Sequence, residues 1–263
     1  MFAIGFPAID PIALEAGPIV IRWYSLAYVA GILLGWRYIV VLTVKANNGV
    51  KRIQIDDFII WATFGIILGG RLGYVIFYKP TFFVENPLLV LAMWNGGMSF
   101  HGGLIGMTIV MWLFVRQRGL TFIALGDLIC AAAPIGIFFG RIANFINGEL
   151  FGRESNVPWA MVFPRGGPNT RHPSQLYEAG LEGLVLFCIL SVMIFRFKAL
   201  QKRGIISGTF LTGYGLSRYL VEFIRQPDTH LGMLFGIATM GQLLSLPLLA
   251  IGIWLISKPY RQS

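Results

Sequence analysis

The chain has 263 residues, 56% of them hydrophobic and only 13% charged, with a mean hydropathy of +0.71. That balance excludes a soluble enzyme and points to a protein that crosses a membrane several times. The excess of 21 Lys and Arg over 12 Asp and Glu fits basic loops held near anionic headgroups, not a nucleic-acid partner.

The N-terminal stretch, M-F-A-I-G-F-P-A-I-D-P, lacks a positive n-region and carries Asp10 and Glu15 nearby, so it is expected to be retained and to lie in the interface. Apolar runs then predict spans over about Ile19–Val44 and Phe58–Tyr78, each near the ~20 residues a crossing requires. Pro87–Trp94 is too short to cross and reads as re-entrant or interfacial. Further spans follow at His101–Val115, Leu120–Ile146, Leu176–Phe197, Ile205–Ile224 and Leu231–Ile256. The expected fold is therefore all-α, a single membrane domain over 1–263 with about seven transmembrane helices and an external head over about 147–171. Lys45, Lys51 and Arg52, then Arg116 and Arg118, Arg196, Lys198, Lys202 and Arg203, and finally Lys258 and Arg261 all fall on one side. That side is expected to be cytoplasmic, with the N-terminus outside and the C-terminus inside. Cys130 and Cys188 lie in apolar runs; their spacing gives neither a disulfide framework nor a metal site, and no cofactor is expected.

Polar residues inside these spans carry the functional signal, because Arg or Asp centred in lipid costs roughly 2.5–3.5 kcal/mol on insertion scales. At a rise of about 1.5 Å per residue, Tyr24, Arg71, His101, Arg141, Asn144, Tyr214, Arg218, Glu222 and Arg225 all fall toward the non-cytoplasmic leaflet. Arg141, Asn144 and Asn147 share a helix face, as do Tyr214, Arg218, Glu222 and Arg225. Two guanidiniums facing one cavity suit a phosphate. His101 stands between glycine pairs with Ser99 as a cap, where a backbone can approach an anion closely, and its imidazole can take a proton near neutral pH. Plainer readings stand beside these. Arg218 and Glu222 can simply neutralise each other, Arg71 can snorkel, Tyr24 can anchor at the interface, and Asp127 can be solvated or capping. In Arg171–Glu178, R-H-P-S-Q-L-Y-E, Ser174 can cap a helix that holds Glu178 in its first turn, and the role of His172 stays open.

The thirteen residues G-R-I-A-N-F-I-N-G-E-L-F-G, Gly140–Gly152, resemble the signature of bacterial prolipoprotein diacylglyceryl transferases. The stretches I-R-W-Y-S-L-A-Y, G-G-R-L-G-Y, H-G-G-L, R-H-P-S-Q-L-Y-E and Y-G-L-S-R-Y-L-V-E-F-I-R-Q-P-D are similar to the family's other blocks, in the family's order. The resemblance implies an inner-membrane enzyme open to the periplasmic side. Such an enzyme moves the diacylglyceryl group of phosphatidylglycerol to the lipobox cysteine of a prolipoprotein and releases glycerol phosphate. It puts the phospholipid-binding arginine at Arg141, the essential histidine at His101, the essential asparagine at Asn144 and a second essential arginine at Arg218. Tyr24, Glu149, Gly152, Tyr214 and Glu222 match further required positions. The expected catalytic group is His101, Arg141, Asn144, Tyr214 and Arg218, with His101 or Tyr214 as base. The expected substrate contacts are Arg141, Arg218, Tyr24, Arg71, Glu149, Gly152, Glu222 and Arg225. A transporter for a phosphorylated molecule and an acyltransferase acting on the same lipid are the competing readings.

Overall fold

The computed structural model describes residues 4–7, 9–17, 19–46, 49–92, 96–227, 238–258 and 260–261. The chain opens with β1 (Ile4–Gly5) and an antiparallel hairpin of β2 (Ile12–Ala16) and β3 (Ile19–Arg22). The first span is expected from Ile19, but β3 takes those residues into the hairpin, and α1 runs Trp23–Ala46. Then come α2 (Arg52–Phe77), α3 (Pro80–Glu85), a tight turn over Pro87–Leu91, α4 (Phe100–Arg118) and α5 (Phe122–Ile146). After β4 (Met161–Val162), α6 (Ser174–Glu178) passes through a widened helical turn, Ala179–Val185, into α7 (Leu186–Phe197). Helices α8 (Ile205–Val221) and α9 (Met240–Ser257) follow. The seventh expected span begins at Leu231; residues 231–237 lie outside the described residues, as do 93–95 at the end of the short apolar piece.

Among the described residues, five helices are long and apolar enough to cross a membrane: Trp23–Lys45, Arg52–Phe77, Phe122–Ile146, Ser174–Phe197 and Met240–Ser257. Large apolar side chains stand exposed along them, among them Leu33, Phe64, Ile189 and Trp254, an apolar surface too extensive for water contact. The architecture is that of a mostly helical, multi-pass membrane protein. Helices α4 and α8 occupy the places of the two other expected spans. The chain divides into two compact units, Thr43–Leu125 and Met1–Leu42 with Gly126–Ser263.

In the unit Thr43–Leu125, α2 begins six residues before its expected start. A side-chain cap by Gln54 on the Lys51 N–H and an ion pair between Arg118 Nη2 and Asp57, 2.6 Å, make its polar first turns helical. Helices α2 and α4 meet along glycines. A Cβ on Gly102 would lie 2.3 Å from the Gly69 carbonyl oxygen, and one on Gly106 would lie 2.1 Å from that of Gly65. Backbone-to-backbone approach of this kind replaces hydrophobic driving force where the surroundings are lipid. Ser99 caps α4, its Oγ accepting from the Gly102 N–H at 3.2 Å, and Gly119, at φ +63°, ends it.

In the other unit, α5 lies against α1 where Gly31 faces Gly136, and against the widened turn where a Cβ on Gly183 would meet Phe138 Cα at 2.9 Å. Asp127 departs from the solvated reading. It is 1% exposed, and its carboxylate accepts from Gly204 N, Ser207 N and Ser207 Oγ at 2.7, 2.8 and 2.7 Å. It thus caps α8 from the side of α5, satisfying N–H groups that a helix start leaves bare. Asp127→Asn turns an amide toward donors and is expected to cost about 1–3 kcal/mol. A thermal unfolding scan of the purified protein checks this, and an unchanged midpoint would refute it.

Candidate active site

The signature Gly140–Gly152 is a helix end followed by a stapled turn. Arg141 and Asn144 stand one turn apart on the last part of α5. Past the helix, Gly148 takes φ +62° and Leu150 φ +56°, and the latter is a left-handed conformation that a branched side chain rarely holds. Side chains hold the turn from both sides. Glu149 Oε1 accepts from Asn144 Nδ2 at 2.9 Å and from Asn147 Nδ2 at 3.3 Å. Ser174 Oγ donates to the Leu150 carbonyl at 3.0 Å, and Gln175 Nε2 donates to that of Glu149. Ser174 therefore braces the signature turn; the residue at the cap position of α6 is Pro173.

Gly152 lies between two passing backbones. Its N–H donates to the His172 carbonyl at 2.8 Å, while the Arg153 N–H donates to that of Ile224 at 2.8 Å. A Cβ here would be 2.6 Å from the Ile224 oxygen and 2.6 Å from His172 Cβ. The same pairing draws Ile224 and Arg225 out of the helix, so α8 ends at Val221, earlier than its apolar pattern suggests. Three separated sequence blocks are thereby tied together. The segment 147–171 packs Phe163 against its own Phe151 and against Phe6 and Phe145 from outside it.

Inside this frame three arginines meet three glutamates. Arg218 Nη1 donates to Glu178 Oε1 at 2.7 Å, and Arg225 Nη1 donates to the same oxygen at 2.8 Å. Arg141 Nε is 3.0 Å from Glu178 Oε2 without aligning to donate to it, and Arg141 Nη2 donates to Glu182 Oε2 at 3.3 Å. Arg218 Nη2 lies 2.9 Å from Glu222 Oε2, also without aligning to donate. Glu178 and Glu182 side chains are wholly buried, whereas those of Arg141 and Arg218 are 18% and 16% exposed. The Glu178 and Glu182 carboxylates are therefore enclosed, while the side chains of Arg141 and Arg218 keep some surface. Each guanidinium has five N–H donors, so donors remain for an anion after these contacts are made. Tyr214, half-buried one turn before Arg218, lies close enough to interact with Arg141, Arg218, Glu178 and Glu182.

A family model described as prolipoprotein diacylglyceryl transferase matches residues 11–258. The chain belongs to that family. Curated relatives named phosphatidylglycerol–prolipoprotein diacylglyceryl transferase include those of Paramagnetospirillum magneticum, 57% identical over 99% of this chain and 97% of the relative, and Azospirillum brasilense, 56% identical over 100% and 98%. That of Rhodospirillum rubrum is 56% identical over 96% of this chain and 93% of its own length. As a family member the chain is a transferase of lipoprotein biosynthesis.

Of the residues singled out in the sequence, Arg141, Tyr214, Arg218, Glu222 and Arg225 come together in the one cluster, and Asn144 joins Glu149 beside it. The Arg218–Glu222 pair is real but is part of a larger network. Arg225 is buried and is spent on Glu178. Tyr24 packs against Tyr28 with ring centroids 5.1 Å apart and planes tilted by 47°, and lies within interaction distance of Asn144 and Glu149. Arg71 departs from the snorkelling reading: it is 3% exposed and donates to the carbonyls of Leu89, Val90, Ala92, Gly96 and Gly97. A guanidinium so engaged holds the Pro87–Leu91 turn in place. His101 is exposed in the first turn of α4. Its neighbour Gly102 is filled by helix contact, as Gly97 is by the Tyr74 ring, whereas a Cβ on Gly96 would meet nothing within 4 Å. His172 shares a hydrogen bond with the Tyr177 hydroxyl at 3.2 Å, and burial lowers its pKa.

Glu178 and Glu182 were not among the residues expected at the site. The signal for them is in the sequence: two carboxylates four residues apart in the apolar run Leu176–Phe197. The insertion cost that marks Arg141 applies to them equally.

Proposed function

We infer that the protein transfers the diacylglyceryl group of phosphatidylglycerol to the lipobox cysteine thiol of a prolipoprotein. In that reaction a C–S bond forms at a glycerol carbon, the C–O bond to phosphate breaks, the thiol proton goes to a base, and glycerol phosphate leaves. The observation that carries this beyond family membership is the pair of partly exposed arginine side chains, Arg141 and Arg218, that share the wholly buried Glu178 carboxylate. Cations fixed in advance where leaving-group charge develops supply the electrostatic stabilisation on which such a step depends. The nucleophile arrives on the substrate, so neither Cys130 nor Cys188 is required.

His101 is the proposed base on chemical grounds, with Tyr214 as its rival beside the arginines. Asn144 and Glu149 hold the end of α5 against the lipid, with Tyr24 alongside. Gly152, Glu222 and Arg225 are proposed to keep the cluster in shape, and Arg71 to act through the turn it holds. The topology proposed is seven spans, α1, α2, α4, α5, α6 with α7, α8 and α9, as one membrane domain in the bacterial inner membrane. The basic residues between spans support an external N-terminus, an internal C-terminus and a site open to the periplasm.

Purified protein given phosphatidylglycerol and a lipobox peptide is expected to add one diacylglyceryl mass to the peptide and release one glycerol phosphate. An acyl mass without glycerol phosphate would instead establish an acyltransferase.

A further inference from the structure

We propose that Glu178 is the positioning residue that holds Arg141 and Arg218 at the spacing that grips a lipid phosphate, with Glu182 as a second support for Arg141. The proposal rests on reading those arginines as the phosphate site. Among the described residues, Glu178 is the carboxylate ion-paired with both arginines, at 3.0 Å and 2.7 Å, and it also binds Arg225. Being wholly buried, it has no surface to offer a substrate; its action must pass through the guanidiniums it pairs with.

Its own position is fixed from two sides. Ser174 and Gln175, on the same short helix, donate to the carbonyls of Leu150 and Glu149. The residues that follow form the widened turn Ala179–Val185, whose Gly183 lies directly on Phe138 of α5. Widened turns of this kind recur at functional sites, and here one begins directly after Glu178 and carries Glu182; these two carboxylates bracket Arg141. Arg141 reaches Glu178 with Nε and Glu182 with Nη2, so its orientation is set by two anchors. Arg218 is likewise anchored by Glu178 and Glu222. With Glu178 neutral, three cations converge with one counterion fewer, and the guanidiniums separate.

The test uses the full-length protein in mixed micelles, with rates measured against phosphatidylglycerol and against lipobox peptide separately. Glu178→Gln is expected to lose about 100-fold in kcat/KM for the lipid, the scale of one misplaced charge-stabilising group, while KM for the peptide stays within about twofold. Glu178→Asp, which restores the charge, is expected to recover about a tenth of wild-type activity. Glu178→Gln combined with Arg218→Lys is expected to lose less than the product of the two single losses, because both act through one guanidinium. Should Glu178→Gln fail to fold, Glu178→Asp and Glu182→Gln carry the same comparison, each expected to lose about tenfold on the lipid side alone. A folded Glu178→Gln with wild-type lipid kcat/KM, or lipid and peptide KM rising together, overturns the proposal. Arg141→Gln and Arg218→Gln separate the two levels. If they lose lipid turnover and the Glu178 variants do not, only the positioning role fails; if they too keep it, the phosphate site itself is wrong.

Discussion

Arg141→Gln is expected to lose about 10³-fold in kcat, the scale of removing a preorganised group that stabilises leaving charge. Arg141→Lys should recover little of it. A lysine keeps the charge but has one ammonium, whereas the arginine reaches Glu178 and Glu182 from separate nitrogens and keeps further donors for the phosphate. A large recovery by lysine would mean that charge alone matters and that the anchoring geometry does not. The glutamine variant also leaves Glu182 buried without its cation, which costs about 3–5 kcal/mol by the usual price of breaking a buried pair. Activity and unfolding temperature must therefore be measured together, with rates taken well below the midpoint. Under those conditions the rate loss exceeds anything the folded fraction explains.

The second large effect is structural. Gly106→Val is expected to abolish stable folding of the α2 and α4 pair, since its Cβ alone would stand 2.1 Å from the Gly65 carbonyl oxygen. Overpacking usually costs about 1–3 kcal/mol. Here the obstacle is helix backbone, which no rotamer change relieves, so the loss should lie at or above the top of that range. Gly103→Ala, one turn earlier on the same helix, is the control: its Cβ would find its nearest neighbour, the Ile66 oxygen, at 3.5 Å, an ordinary contact. Thermal unfolding in detergent should show a large drop for the first and little change for the second. Equal behaviour would show that the glycines are not what brings these helices together.

The sequence reveals the helices better than it reveals what they hold. Hydropathy locates α1, α5 and the Ser174–Phe197 helix closely, because each is a long apolar run facing lipid. It blurs α2, whose first turns are polar, and α8, whose end is dictated by backbone pairing with Arg153, over seventy residues away. It misses the β2–β3 hairpin, where Ile19–Arg22 is as apolar as the helix it precedes. At the site, the helix stripes and the family signature bring out the arginines. The buried carboxylates are harder to see, because Glu178 reads equally well as a first-turn residue of a surface helix. Arg71 shows the same limit. Nothing local to G-G-R-L-G-Y says that its guanidinium will be met by five carbonyls from residues 89–97.

Phosphate recognition by Arg141 and Arg218 is tested most directly by lipid selectivity. The affinity of purified protein for phosphatidylglycerol, relative to diacylglycerol with the same chains, can be measured for the wild type, Arg141→Gln and Arg218→Gln. Each substitution is expected to reduce that preference about tenfold or more, the worth of a hydrogen bond to a charged group, with affinity for diacylglycerol unchanged. A preference for phosphatidylglycerol that survives in both variants would contradict the account.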